Sequence, residues 1–395
     1  MEITWIAPFP YVRDNTMHTA PWISELALLL TKNGELKINI VSPIPGLDRV
    51  EVLAFTPSIT IYYVPVVKNA LDLLSLYQIR IIQLKKILFT ENMVKDIIHL
   101  HGTEHQYFSS ISAYKKKCII SMQGIMRECS STLKQLRFYF PKYHNYLRNI
   151  ASWSLSSFYE TNEVKKNKTF TARTHFDTSY IKEINPTADI TCIWEVIREE
   201  FFKERFSYNK KYLLFVGGTH PLKGIDRVLS AFSVLKKERK SSSLKLSIAG
   251  FINPLVFKNL LIKLNISKIV ENDIEFLGYL DTLGLVSAFS KSYVLLHPSY
   301  IDNSPNTVCE AQVAGLPVIA TNVGGLSSII QNRYDGILVD NSVENLVNSI
   351  RELLDDDHLV NSIRINAIST ARKRHDRSII KDSYLNLYHN LYRNI

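Results

Sequence analysis

Residues Ser299 to Gly325 read SYIDNSPNTVCEAQVAGLPVIATNVGG. Two carboxylates, Asp302 and Glu310, stand eight residues apart in this stretch. The second lies on a predicted helix, which leads through Gly315-Leu316-Pro317 into the apolar strand Val318 to Ala320 and a loop at Gly324-Gly325. In an open α/β sheet, ligands dock at loops beyond the carboxyl ends of the strands. A helix starting near Asn306 aims free N–H groups at an anion. The stretch therefore points to a phosphate-bearing ligand.

Outward from it, short apolar strands alternate with amphipathic helical segments, the pattern of parallel sheets covered by helices on both faces. In the first half the expected strands are Ile3–Ile6, Ile38–Val41, Ile61–Val64, Ile97–His99 and Cys118–Ser121, with a helix at about Ala20 to Lys32. In the second half they are Tyr212–Val216, Lys245–Ile248, Ile274–Phe276, Val294–Leu296, Val318–Ala320 and Ile337–Val339. Two such sheets give an α/β chain of two Rossmann-like domains, 1–196 and 197–375. The charged segment Glu195 to Lys211, with Phe201-Phe202, is the expected connection.

A chain of 395 residues is too long for one ordinary core and suits two. With 46% hydrophobic residues and 14 each of Gly and Pro it reads as globular, without low-complexity tracts or repeats. No apolar run reaches the roughly 18 residues that span a bilayer. The start, MEITWIAPFPY, reads as strand and loop and lacks the form of a secretion signal, so a cytoplasmic location is expected. Cys118, Cys129, Cys192 and Cys309 show neither metal-ligand spacing nor a disulfide framework. The acidic run Asp355-Asp356-Asp357 reads either as a metal site or as a solvated turn between helices.

The formal charge is +10, which favours anionic partners. Lys115 to Arg148 holds eight Lys and Arg against one acid, Glu128, interleaved with Phe138, Tyr139, Phe140, Tyr143 and Tyr146. Cations beside aromatics suit a lipid interface; a half-buried helix with a solvated basic face is the plainer reading. Nucleic acid is not expected, since no binding motif accompanies the charge.

A second anion-competent loop runs from Val216 to Gly224, VGGTHPLKG, between a strand and a helix starting near Ile225. Gly217 and Gly218 allow close backbone approach, and Lys223 beside a helix start is placed to meet phosphate. The spacing is not that of a P-loop.

FVGG…LKG, the strand running into Phe276-Leu277-Gly278-Tyr279-Leu280, the strand end His297-Pro298-Ser299, and the Asp302…Glu310 pair before AGLPVIATNVGG occur in that order between about Tyr212 and Ile337. Together they resemble the donor domain of retaining glycosyltransferases of family four, of polysaccharide-biosynthesis type. The resemblance implies a GT-B fold, two Rossmann-like domains facing each other across a cleft. The donor is a nucleotide sugar, a substrate rather than a cofactor, and no metal is implied. Lys223 contacts the diphosphate, Asp302 stands near the transferred sugar and Glu310 holds the ribose hydroxyls. Backbone around Ser304, Asn306 and Thr307 faces sugar and phosphate, and backbone near Tyr279 and Leu280 faces the base. A carboxylate suits ribose hydroxyls, and an ammonium with helix-end amides suits a departing diphosphate. The plain alternatives are a helix-surface acid for Glu310 and a helix cap for Asp302. Relatives also send the last segment, 376–395, back to the first domain.

Departures are equally specific. Gly218 stands where many relatives have arginine, with His220 or Arg227 as substitutes. Met17-His18-Thr19-Ala20-Pro21 replaces a Gly-Gly loop, and Gln123 stands where a histidine is common. In DIIHLHGTE, His99 and His101, with His105 beyond, read as strand-end histidines or as metal ligands. Arg173 reads either as facing a ligand or as pairing with Asp177.

The expected activity is sugar transfer from a nucleotide sugar to a saccharide or lipid-linked saccharide, in cell-surface polysaccharide synthesis, with possible contact to the inner membrane face. An inactive sugar-nucleotide-binding subunit and a sugar-nucleotide epimerase are the alternatives. A dehydrogenase is disfavoured, because no G-x-G-x-x-G follows the first strand.

Overall fold

The computed structural model describes residues 1–11, 21–111, 118–136, 146–203, 210–238 and 243–393. The chain divides into two units: Met1–Ser130 with Leu147–Val196 and His375–Ile395, and Ser131–Tyr146 with Ile197–Arg374. The Met17–Ala20 loop and the aromatics Phe138, Tyr139, Phe140 and Tyr143 lie outside the described residues.

The first unit is built on an eight-stranded sheet, in the order β3-β4-β2-β1-β5-β6-β7-β8. Its strands are β1 (Glu2–Ile6), β2 (Lys37–Pro45), β3 (Glu51–Thr56), β4 (Ile59–Val66), β5 (Ile97–His101), β6 (Cys118–Ser121), β7 (Thr169–Ala172) and β8 (Asp189–Cys192). Every pair is parallel except β3 with β4. Helices α1 (Pro21–Thr31), α2 (Asn69–Leu74), α3 (Gln78–Thr90), α4 (Tyr107–Ser110), α5 (Met126–Gln135), α6 (Tyr146–Lys166) and α7 (His175–Ile184) make the connections. Parallel neighbours need such crossovers, which bury both sheet faces. Ile3, Trp5 and Ile6 of β1 accordingly have no exposure.

The second unit has a six-stranded parallel sheet, in the order β11-β10-β9-β12-β13-β14. Its elements are β9 (Tyr212–Val216), α8 (Ile225–Glu238), β10 (Lys245–Ala249), α9 (Pro254–Lys263), α10 (Lys268–Glu271), β11 (Ile274–Gly278), α11 (Thr282–Lys291), β12 (Val294–His297), α12 (Asn306–Ala314), β13 (Val318–Thr321), β14 (Ile337–Val339), α13 (Val343–Asp355) and α14 (Asp357–Arg374). Gly315, at φ 78°, ends α12 in the left-handed conformation that a Cβ disfavours.

The last helix, α15 (Arg377–Arg393), buries Ile380, Tyr384 and Tyr388 in the core of the first unit. Asp355 ends α13 and Asp357 begins α14, so the acidic run is a turn between helices; Lys210 pairs with Asp357 at 2.8 Å. Three strands lack a strong sequence signal. β3 is an edge strand with largely exposed alternate residues, and β7 and β8 are four-residue strands rich in Thr and Asp.

Candidate active site

In the second unit the chain winds from β9 outward to β10 and β11, then crosses to β12 on the other side of β9 and winds outward again. Strands β9 and β12 thus pair with each other but send their connections in opposite directions. The crevice outside the carboxyl ends of such a pair is the standard ligand position in an open sheet. Lys223 closes the 3-10 turn Pro221–Lys223 after β9, and Asp302 lies in the loop after β12. Lys223 Nζ donates to Asp302 Oδ2 at 2.7 Å, joining the two loops at this switch point.

Asp302 Oδ2 lies also 2.9 Å from His297 Nε2 and accepts from Ser299 Oγ at 3.3 Å. Burial alone would raise this carboxyl. Lys223 and His297 outweigh burial and hold it well below the usual carboxylate range. His297 itself is lowered by burial, against the opposing pull of Asp302. The loop backbone is fixed too: Gly325 N donates to Asp302 O at 3.0 Å. A Cβ on Gly324 would fall 1.9 Å from that same oxygen, so only glycine fits. Helix capping does not explain Asp302, because the N-cap of α12 is Pro305, without a side-chain cap.

That uncapped start leaves the first amides of α12, at Asn306 and Thr307, without a capping side chain, and Asn306 Oδ1 is buried with no hydrogen-bond partner. Ser304 and Thr307 are half-buried beside it. Glu310, in the second turn of α12, is not a surface acid: it is 4% exposed. Arg198 donates to Glu310 Oε1 from Nε at 3.1 Å and from NH2 at 2.6 Å, and to Thr282 Oγ1 at 2.8 Å. Burial raises the Glu310 carboxyl and Arg198 opposes it. Both Arg198 contacts use one carboxylate oxygen. Arg198 was legible only as a charged residue of the connecting segment, so its role escaped the sequence reading.

The glycine pair is packed closely against the neighbouring loop. Gly217 N and Gly218 N both donate to Ala249 O at 3.0 Å. Gly218 has φ 53°, and a Cβ there would lie 2.1 Å from Phe251 O. Arginine therefore does not fit at this position. His220 does not replace its charge: its Nδ1 accepts from Leu222 N at 3.3 Å, as a neutral ring does. Arg227 is committed as well, donating to Pro298 O at 3.2 Å and Asn341 Oδ1 at 3.0 Å while lying 3.6 Å over the Tyr300 ring. Beyond β11, Tyr279 is 61% exposed and Leu280 half-buried. Tyr279 stacks on Phe251, which follows β10, with centroids 6.3 Å apart at 22°. Phe251 is a site candidate that the motifs did not single out, although an aromatic one residue past a strand-end glycine is a usable signal.

In the first unit, His99 is tied into the core by both ring nitrogens. His99 Nδ1 lies 2.7 Å from Tyr388 Oη and its Nε2 2.6 Å from Ser121 Oγ. Burial lowers His101 to about 3. Among the described residues no group of three or more His, Cys, Asp or Glu could hold a metal ion. Arg173 pairs with Glu195 at 2.8 Å and donates to Gln123 Oε1 at 2.9 Å. The Arg173–Asp177 pairing is corrected: Asp177 is the N3 residue of a capping box and accepts from the backbone N–H groups of Arg173 and Thr174. Behind this edge, Glu160 accepts from Thr103 Oγ1 at 2.7 Å, Tyr180 Oη at 2.8 Å and Met126 N at 3.0 Å. Burial raises it to about 7, and its neighbour Glu163 to about 8.

The model of glycosyl transferases group 1 matches residues 196–371, the span that carries the Lys223–Asp302 pair and Glu310. A D-inositol 3-phosphate glycosyltransferase of Paenarthrobacter aurescens (strain TC1) is 31% identical over 155 residues, 37% of this chain and 36% of that protein. A second protein of that name, from Corynebacterium efficiens, is 29% identical over 41% of this chain and 39% of its own length. The chain thus spans under two fifths of these curated relatives. Over its whole length the chain resembles sucrose-phosphate synthase from Thermosynechococcus elongatus, at TM-score 0.79 and 14% identity, with 100% of both chains covered. Anabaena HepE in complex with UDP-glucose matches at TM-score 0.67 and 13% identity over 99% of this chain and 100% of that one. At such identities the likeness shows the fold, the two-sheet GT-B type. The group 1 match over residues 196–371 thus agrees with the family resemblance read from the four motifs.

Proposed function

We propose that this chain is a retaining, nucleotide-sugar-dependent glycosyltransferase, with the donor held by the group 1 domain and the acceptor by the first unit. The observation that carries the reading is the Lys223–Asp302 pair at the β9/β12 switch point, beside the uncapped start of α12. An ammonium has three N–H donors, and Asp302 takes one of them. The rest, with the α12 amides, suit a diphosphate. The second oxygen of Glu310 suits a ribose hydroxyl.

As the bond from the anomeric carbon to the diphosphate oxygen breaks, its electron pair goes to the diphosphate, where Lys223 and the helix-start amides stabilise it. The acceptor hydroxyl attacks on the face the diphosphate leaves and passes its proton to a departing phosphate oxygen. Asp302 keeps the ammonium in place. The acceptor is a saccharide or lipid-linked saccharide, in cell-surface polysaccharide synthesis on the cytoplasmic side of a membrane. Metal is not required, because Lys223 and the amides meet the leaving-group charge.

The second reading, a sugar-nucleotide-binding subunit without transfer, is favoured by one feature: Gly218 excludes arginine, while His220 accepts a backbone N–H through Nδ1 and Arg227 is held by Pro298 O and Asn341. Release of nucleoside diphosphate from a bound sugar nucleotide, measured with and without saccharide acceptors, separates the two. Acceptor-dependent release supports transfer. Binding without release supports the subunit, and conversion of the sugar without any acceptor supports an epimerase.

A further inference from the structure

Helices α2, α3 and α6 of the first unit expose an unusual set of side chains. On α3, Ile79, Ile82, Lys86 and Phe89 follow a 3.6-residue period and are exposed, opposite the buried face of Ile81, Leu84 and Leu88. On α6, Leu147, Ala151 and Phe158 share a face by the same period and are exposed. Leu74 of α2 is 81% exposed, Ile82 62% and Phe158 63%. The helices are joined at this surface: Tyr159 Oη donates to Leu76 O at 2.8 Å and accepts from Gln78 Nε2 at 2.6 Å, while Tyr77 Oη lies 2.6 Å from Ser152 Oγ. Scattered exposed apolar residues are ordinary, but a joined set on neighbouring helices marks an interaction surface.

Its charges identify the occupant. Asp72, Glu160 and Glu163, the acids of these three helices, are all buried, Asp72 against Arg80. Exposed charge on α3 and α6 is cationic throughout: Lys85, Lys86, Arg148, Lys165 and Lys166. Exposed Glu91 stands just past the end of α3, but α3 and α6 themselves expose no acid, although the chain carries 37. Apolar side chains that enter an interface, on helices whose own exposed charge among the described residues is cationic, match the chemistry of an anionic bilayer surface.

We infer that the α2–α3–α6 face docks this chain on an anionic lipid bilayer, with Ile82 and Phe158 entering the headgroup layer and Lys85 and Lys86 meeting lipid phosphates. This rests on the transferase reading for its purpose, delivery of a lipid-linked acceptor, but membrane binding is measured with no sugar present, so the two fail separately. Flotation of the full chain with phosphatidylcholine vesicles, and with vesicles containing phosphatidylglycerol, is the test. Recovery about tenfold higher on the anionic vesicles is expected, falling with added salt. Ile82→Glu with Phe158→Glu abolishes it, and Lys85→Gln with Lys86→Gln reduces it, at unchanged melting temperature. If the double glutamate variant misfolds, Leu74→Glu takes its place. Equal recovery on both vesicle types, recovery on neither, or full binding by the glutamate variants overturns the inference. So does light scattering that gives a dimer dissolved by these substitutions in a protein that ignores vesicles.

Discussion

Lys223 and Asp302 are 79 residues apart in sequence, yet Nζ and Oδ2 meet at 2.7 Å across β9 and β12, the neighbouring strands of the second sheet whose connections diverge. The pair holds an ammonium where a ligand diphosphate would arrive, and it keeps Asp302 ionised despite burial. Replacing Lys223 removes a phosphate contact and leaves a buried carboxylate with one partner fewer. Lys223→Ala is expected to weaken nucleoside diphosphate binding by about 10- to 100-fold, as for a lost charge-assisted hydrogen bond, measured by isothermal titration calorimetry.

Arg198 holds the Glu310 carboxylate by two hydrogen bonds while both side chains are nearly buried. Breaking one side of such a pair strands the other charge. Arg198→Ala should destabilise the fold by about 3–5 kcal/mol in urea unfolding. Arg198→Met combined with Glu310→Gln should recover much of that loss but not sugar-nucleotide binding. Equal stability of Arg198→Ala and the native chain would contradict the pairing.

Gly218 cannot accept the arginine common among relatives. The positive φ and the 2.1 Å approach of Phe251 O mean that Gly218→Arg must displace the loop after β10. A loss of about 1–3 kcal/mol is expected, read as a lower melting temperature, with no gain in nucleotide affinity. Tighter diphosphate binding by this variant would show that the site has room for the missing cation.

Glu160 and Glu163 are raised by burial to about 7 and about 8, above the ordinary glutamate value near 4.5. Between that value and pH 8 the folded chain binds more protons than the unfolded one. Their contribution to stability is therefore complete below about pH 4.5 and is lost as the pH rises through 7 to 8. Urea midpoints measured from pH 5.5 to 8.5 should fall more steeply for the native chain than for Glu163→Gln. Identical slopes would count against the buried, protonated state.

Much of this was open to sequence reading because parallel strands buried on both faces must be continuous apolar runs. LLFV and VLLH can be recognised for that reason. The Asp302…Glu310 spacing is local, and a helix preserves it. What escaped was either weakly patterned or long-range. β3 and β8 are partly solvated edge strands without an apolar run. Arg198 reaches Glu310 over 112 residues, and Arg173 finds Glu195 rather than the nearby Asp177. Asp177 caps its helix through the Thr174-x-x-Asp177 pattern, a local signature that competes with reading it as an ion-pair partner of Arg173. The packing of Gly218 against Phe251 likewise depends on how two loops meet.

The central claim is that the Lys223–Asp302–Glu310 site binds a nucleoside diphosphate sugar. Its most direct test is thermal unfolding of the native chain against a panel of sugar nucleotides, beside Lys223→Ala and Glu310→Gln. At a hundredfold excess over Kd a ligand adds about 2.7 kcal/mol to stability. The account predicts that at least one sugar nucleotide raises the melting temperature of the native chain and that both variants lose most of that rise. A native chain whose melting temperature is unmoved by every sugar nucleotide, or variants that respond as the native chain does, would contradict it.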